Sequence, residues 1–188
     1  MGDIASWQGM IDWNEELLVR RTGEGSEAWA GKARASGIST EAELSGWLRE
    51  QGVTGYAAMS VSWKLFGYPE FFLKSGDELI DGQYADRPAL RPIADRLMTM
   101  ALSLDGVWLQ ARKTYVSVHS PRRKFAQITP ANKGSLDLLL RVEADDPRLE
   151  AVKVRSGDPF GRRLRFRSPD EVDDGVLAIL ERAMEQNS

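Results

Sequence analysis

Three kinds of residue in this chain could do chemistry, and the first is a glycine-rich stretch. "GSEAWAGK" at residues 25–32 approaches a phosphate-cradling loop. Five residues separate Gly25 from Gly31 where four are needed, and Ala33 stands where a hydroxyl should bind magnesium, so the loop chemistry fails. The second kind is acidic. "PDE" at residues 169–171 could supply the first acid of a metal-dependent nuclease, but no Glu-x-Lys follows, and "EAVK" carries one residue too many. The third is His119, the single histidine of a chain with no cysteine. One imidazole and no thiolate exclude two-histidine sites, thiolate metal sites and a thiol nucleophile. No Gly-x-Ser-x-Gly or Gly-x-Gly-x-x-Gly stretch supports a hydrolase or a dinucleotide site. These absences predict no catalytic machinery, no cofactor and no bound metal. The function expected is binding.

The charge distribution says what could be bound. The net charge of -3 hides three blocks. Residues 1–106 hold 10 Lys/Arg against 16 Asp/Glu, residues 107–167 hold 14 against 6, and residues 168–188 hold 1 against 6. "RRLRFRSPDEVDD" at residues 162–174 sits where the basic block meets the acidic one. Its acidic half has a structural reason, since Asp170, Glu171, Asp173 and Asp174 open a predicted helix whose macrodipole favours carboxylates there. The arginines lack that reason. Alternation of side chains along strands predicts one face with Val116, Val118, Leu136, Leu138, Leu140, Leu164 and Phe166. The other face then carries Tyr115, His119, Arg141, Arg163, Arg165 and Arg167, with Arg122, Arg123 and Lys124 at a hairpin tip. Cations interspersed with rings suit a polyanion, nucleic acid foremost, because guanidinium groups neutralise phosphate while a ring stacks on a base. The competing reading is a solvated face, or one neutralised by the acidic blocks within the molecule or across a homodimer.

Six tryptophans open a second function class. Trp29, Trp47 and Trp63 recur at helical core spacing, which makes them packing residues. As an alternative they line a pocket for a small aromatic ligand between the helical part and the sheet. A helix-turn-helix reading of "AELSGWLREQG" and "TGYAAMSVSWKL" fails, because Leu48 fills a position that wants a small residue and the second helix offers only Lys64 to phosphate.

The elements that must position these residues divide into two parts. Residues 1–75 read as helices: "DWNEELLVRR" places Trp13, Leu17 and Leu18 on one stripe, and "SEAWAGKARASG" stops at Gly37. "STEAELSGWLREQG" opens with a capping box of Thr40 and Glu43, and "YAAMSVSWKLFG" forms a fourth helix. "GYPEFFLKSGDELIDGQYADRP" is expected as a packed connection with short helical turns. Residues 76–188 form the second part. There "PIADRLMTMALSL" is helical through Ile93, Leu97 and Met100, after which the period changes to two. "WLQAR", "TYVSVHS", "KFAQIT", "SLDLLLRVE", "LEAVKV" and "RRLRFRS" are six strand candidates, with "SGDPFG" among the turns. Their short connections require antiparallel pairing. Ser168, Pro169 and Glu171 sign the start of a last helix. The fold class expected is α+β: a helical module, then an antiparallel five- or six-stranded sheet flanked by helices. No run reaches the roughly 18 apolar residues of a membrane span, and the absence of cysteine and of an export signal predicts a cytoplasmic protein without membrane contact.

Two groups of residues resemble known families. "RTGEGSEAW", "WLREQG" and "GYA" are similar to a small bacterial helical module of unknown function. "DGQYADRPALRPIADRLM", "KTYVSVHSPRRKFAQITP" and "SPDEVDDGVLAIL" resemble the α+β domain that follows it, a domain also seen in so-called predicted transport proteins. The resemblance covers roughly residues 17–186 and implies architecture but no assigned activity. Relatives of the helical module carry histidines where this chain reads "STEAE" and "QGVTGYA", so a histidine-dependent role does not carry over. The sheet domain's occasional fusion to nuclease-like domains implies an association with nucleic acid by analogy.

Overall fold

The computed structural model describes residues 8–153 and 159–188. Among them one compact unit ends at Leu73 and the other runs from Lys74 to Ser188. The first unit holds four helices, α1 (Gln8–Thr22), α2 (Ser26–Ala35), α3 (Glu41–Glu50) and α4 (Tyr56–Phe66). Leu18, Trp29, Ala33, Leu44, Leu48, Val53, Ala57 and Val61 make its core. The stripe of α1 differs from expectation. Trp13 is 45% exposed and meets Tyr56 edge-on, while Asn14 is fully buried four residues before Leu18. The inward line is therefore Asn14 and Leu18 at i, i+4 spacing.

Two glycines end helices by the same device. Gly37 and Gly52 have φ of +76° and +75°, a conformation that costs a residue with a Cβ. The reversal lets Ile38 N–H reach the Ala33 carbonyl and Val53 N–H reach that of Leu48, which also seats each aliphatic side chain against the helix it follows. Thr40 and Glu43 form the expected reciprocal capping box at the start of α3.

The second unit is a six-stranded antiparallel sheet with helices on one face. Its strands are β1 (Trp108–Ala111), β2 (Val116–His119), β3 (Lys124–Pro130), β4 (Leu136–Leu140), β5 (Glu150–Ala151) and β6 (Arg162–Phe166), in the order β1-β2-β3-β4-β6-β5. "LEAVKV" reaches Val154 and "SGDPFG" starts at Ser156, outside the described residues. Pairing aligns Leu109 with Val118, Val118 with Ala126, and Ala126 with Leu140. The next row on that face runs through Ala111, Val116, Ile128, Leu138 and Leu164. All of these are buried, covered by α5 (Gly76–Tyr84), α6 (Arg91–Leu102) and α7 (Asp174–Glu185).

Local corrections concern the helices. The stretch expected as a packed connection with short helical turns contains the full helix α5, opened by a capping box of Ser75 and Glu78. In α6 the buried methionine is Met98, with Met100 half-buried. The signs at Ser168 and Glu171 belong to a short 3-10 turn, Pro169–Glu171. Asp173 caps α7 itself, its carboxylate accepting from Val176 N–H.

Candidate functional site

Antiparallel pairing decides which of the basic residues meet. β1 begins where β2 ends, β3 begins there too, β4 ends there, and β6 begins there. One end of the sheet therefore gathers Trp108, His119, Lys124, the turn with Arg122 and Arg123, Arg141 just past β4, and Arg162. A register shift at Val118 and His119 puts a bulge at this end.

Here a cleft of about 730 Å³ opens, lined by Arg141, Val142, Glu143, Pro159, Gly161, Arg162, Gln186 and Asn187. Its floor is braced by the last residues of the chain. The buried Asn187 side-chain amide donates to the carbonyls of Arg141 and Ala183 at 2.8 and 2.7 Å, and the Asn187 backbone carbonyl accepts from the Ser120 hydroxyl at 2.7 Å. Gln186 exchanges two hydrogen bonds with the backbone of Glu143. The Arg123 guanidinium is held below its ordinary pKa, first by desolvation and then by the like charges of Arg122 and Arg141. Among the described residues, Arg122, Arg123, Arg141 and Arg162 form no ion pair.

The remaining basic residues behave differently. Arg165 donates twice to Asp137, which is 6% exposed on the neighbouring strand. Arg163 contacts Glu150 at 2.6 Å and Asp137 at 3.6 Å. Arg167 follows Phe166, whose partner Leu136 starts β4, so it lies at the opposite end of the sheet from Arg141. The ammonium of Lys124 sits 4.5 Å from the Tyr115 ring and 4.7 Å from that of Phe160, and donates to Gln127. These are cation–π contacts. The expected single uncovered wall is thus divided into a paired strip around Asp137, a lysine enclosed by rings, and a separate cluster of guanidinium groups at one end. Ser117 and Asp137, both on that wall, are buried.

His119 ends β2 and stacks on its cross-strand partner Trp108, with centroids 4.0 Å apart and planes 13° from parallel. Burial, then Lys124 and Arg112, push its pKa down to about 4, so the imidazole is neutral near pH 7. Trp108 was not among the residues singled out from the sequence. The only signal was an aromatic at the first position of a strand.

The three tryptophans of the alternative pocket belong to the helical unit. Trp29 is buried, meets Trp47 edge-on at 5.7 Å, and donates from Nε1 to the Thr22 hydroxyl. Trp63 packs in a separate ring cluster with Tyr68 and Phe72. A groove of about 310 Å³ in this unit is lined by Glu41, Leu44, Ser45, Leu48, Gly55, Ala58, Met59 and Ser62, none of them aromatic. Among the described residues no three His, Asp or Glu gather as metal ligands, and no helix is long and apolar enough to cross a membrane.

No curated protein and no solved structure matches the chain. A family model does: residues 80–187, more than half of the chain and the stretch that contains the whole sheet, match the family described as Domain of unknown function (DUF5655). The chain belongs to that family.

Proposed function

We propose that this protein acts by binding an anionic partner, nucleic acid foremost, at the sheet end built from Arg122, Arg123, Arg141 and Arg162. One observation carries the reading: these four guanidinium groups have no carboxylate partner among the described residues, while Arg163 and Arg165, on the strand that Arg162 opens, do. Like charges held together at a concave site raise the local concentration of an opposite charge and strengthen its contacts. Binding is proposed over catalysis because the described residues of the cleft offer guanidinium groups, two carboxamides and one carboxylate, that of Glu143. None of these forms a nucleophile with an adjacent base. On the resemblance of "RTGEGSEAW" and "WLREQG", the helical unit is read as the companion module of a two-part bacterial family. The cysteine-free chain is read as cytoplasmic.

The test is retention of the full chain on heparin and its affinity for a labelled oligonucleotide across a salt series. Arg141→Ala and Arg162→Ala should each weaken binding and lower the slope of log affinity against log salt by about 1. Arg163→Ala and Arg165→Ala should leave both unchanged. A double variant lacking Arg141 and Arg162 that binds like wild type overturns the reading.

A further inference from the structure

An indole that stands 41% exposed at the start of an edge strand, backed on one side by an imidazole at 4.0 Å, is oriented before any ligand arrives. The backing is firm for two reasons. Trp108 and His119 are register partners on paired strands, so backbone hydrogen bonds hold them opposite one another. The His119 Nε2 is also buried with no hydrogen-bond partner among the described residues, so the ring is held there by stacking and packing. Orientation in advance removes part of the ordering cost that binding otherwise carries.

The indole shares its end of the sheet with the cations. β1 and β6 are separated by four strand spacings, which at about 4.8 Å each places Trp108 roughly 19 Å from Arg162 across the sheet edge. The turn carrying Arg122 and Arg123 lies between them, as does Arg141. A ring at one end of a row of guanidinium groups is the combination that a strand of nucleotides can use at once. Phosphates meet the cations while a base lies on the indole. A duplex cannot use both, since its base faces are covered by neighbouring pairs and only edges show in the grooves.

We propose that Trp108, held by His119, is a base-stacking platform and that the partner of this sheet end is single-stranded nucleic acid. The proposal rests on the anion-binding reading above and narrows it.

The experiment measures fluorescence anisotropy of the full chain with three labelled probes: a thymidine 12-mer, a mixed-sequence duplex of the same length, and heparin. Wild type should prefer the single strand over the duplex. Trp108→Ala should lose about tenfold for the single strand while binding heparin as before, and Trp108→Phe should recover most of the loss. Circular dichroism of each variant checks that the fold is retained. Equal wild-type affinity for single strand and duplex overturns the proposal, as does a well-folded Trp108→Ala that keeps its single-strand affinity. In both of those outcomes salt-dependent heparin binding through Arg141 and Arg162 persists. Absence of binding to all three probes instead removes the anion-binding reading and this proposal with it.

Discussion

Arg165 and Asp137 face each other across β4 and β6, joined by Nε to Oδ1 at 2.7 Å and Nη2 to Oδ2 at 2.8 Å. The paired hydrogen bonds orient the guanidinium plane along the carboxylate, and Arg163 approaches the second oxygen at 3.6 Å. One buried acid thus serves two arginines. That arrangement removes both from the supply of charge available to a partner.

Removing the acid should therefore cost more than removing either base. Asp137→Ala leaves two half-buried guanidinium groups short of a partner and is expected to destabilise the fold by about 2–3 kcal/mol. Arg165→Ala should cost less, because Arg163 still meets Asp137. Urea denaturation of both single variants and the double variant measures this, with a coupling of about 1–2 kcal/mol expected between the two positions.

His119 sets a pH dependence. Its ordinary pKa is about 6.5, and in the folded protein it is pushed down to about 4. Between these values the unfolded chain binds the proton and the folded chain does not, so stability rises with pH across this window. The contribution is intact above pH 6.5, falls away as the pH drops toward 4, and is absent below. His119→Gln should flatten the stability profile in that interval relative to wild type. Melting temperatures read at half-unit steps from pH 4 to pH 7 compare the two slopes.

Asn187 is a brace. Its amide donates to two carbonyls, that of Arg141 just past β4 and that of Ala183 in α7. Asn187→Ala should destabilise by about 1–3 kcal/mol, the cost of leaving buried polar groups unpaired. Hydrogen exchange should show faster opening of the β4 exit around Arg141 than of the helical unit.

Much of the fold was legible because its signals are local. Strand alternation and turn residues placed β1 to β4 and β6 within a few positions, and the Thr40–Glu43 box marked α3. Where the reading failed, the deciding fact lay elsewhere in the chain. "GDELIDGQY" holds two glycines and a single adjacent pair of aliphatic residues, so α5 shows little periodicity, although Ser75 and Glu78 signed its start. Asn14 takes the place of Trp13 on the inner stripe, and a polar residue there gave no sign of it. The basic site was half visible. The arginines could be counted, but Asp137 lies 28 residues before Arg165 and Glu150 lies 13 before Arg163, and only the register brings them together. An aspartate inside the leucine run "SLDLLL" was the available hint, since a buried acid in a strand needs a cation beside it. Trp108 gave no comparable sign, because its stacking partner His119 is eleven residues away.

The position of Asn187 also has a practical use. Ser188 follows it directly, with its hydroxyl bonded to the Met184 carbonyl, and so lies beside the cleft without lining it. Because the chain contains no cysteine, Ser188→Cys would create a unique thiol. A dye attached there would sit next to the guanidinium cluster and report its occupancy directly, without an engineered background.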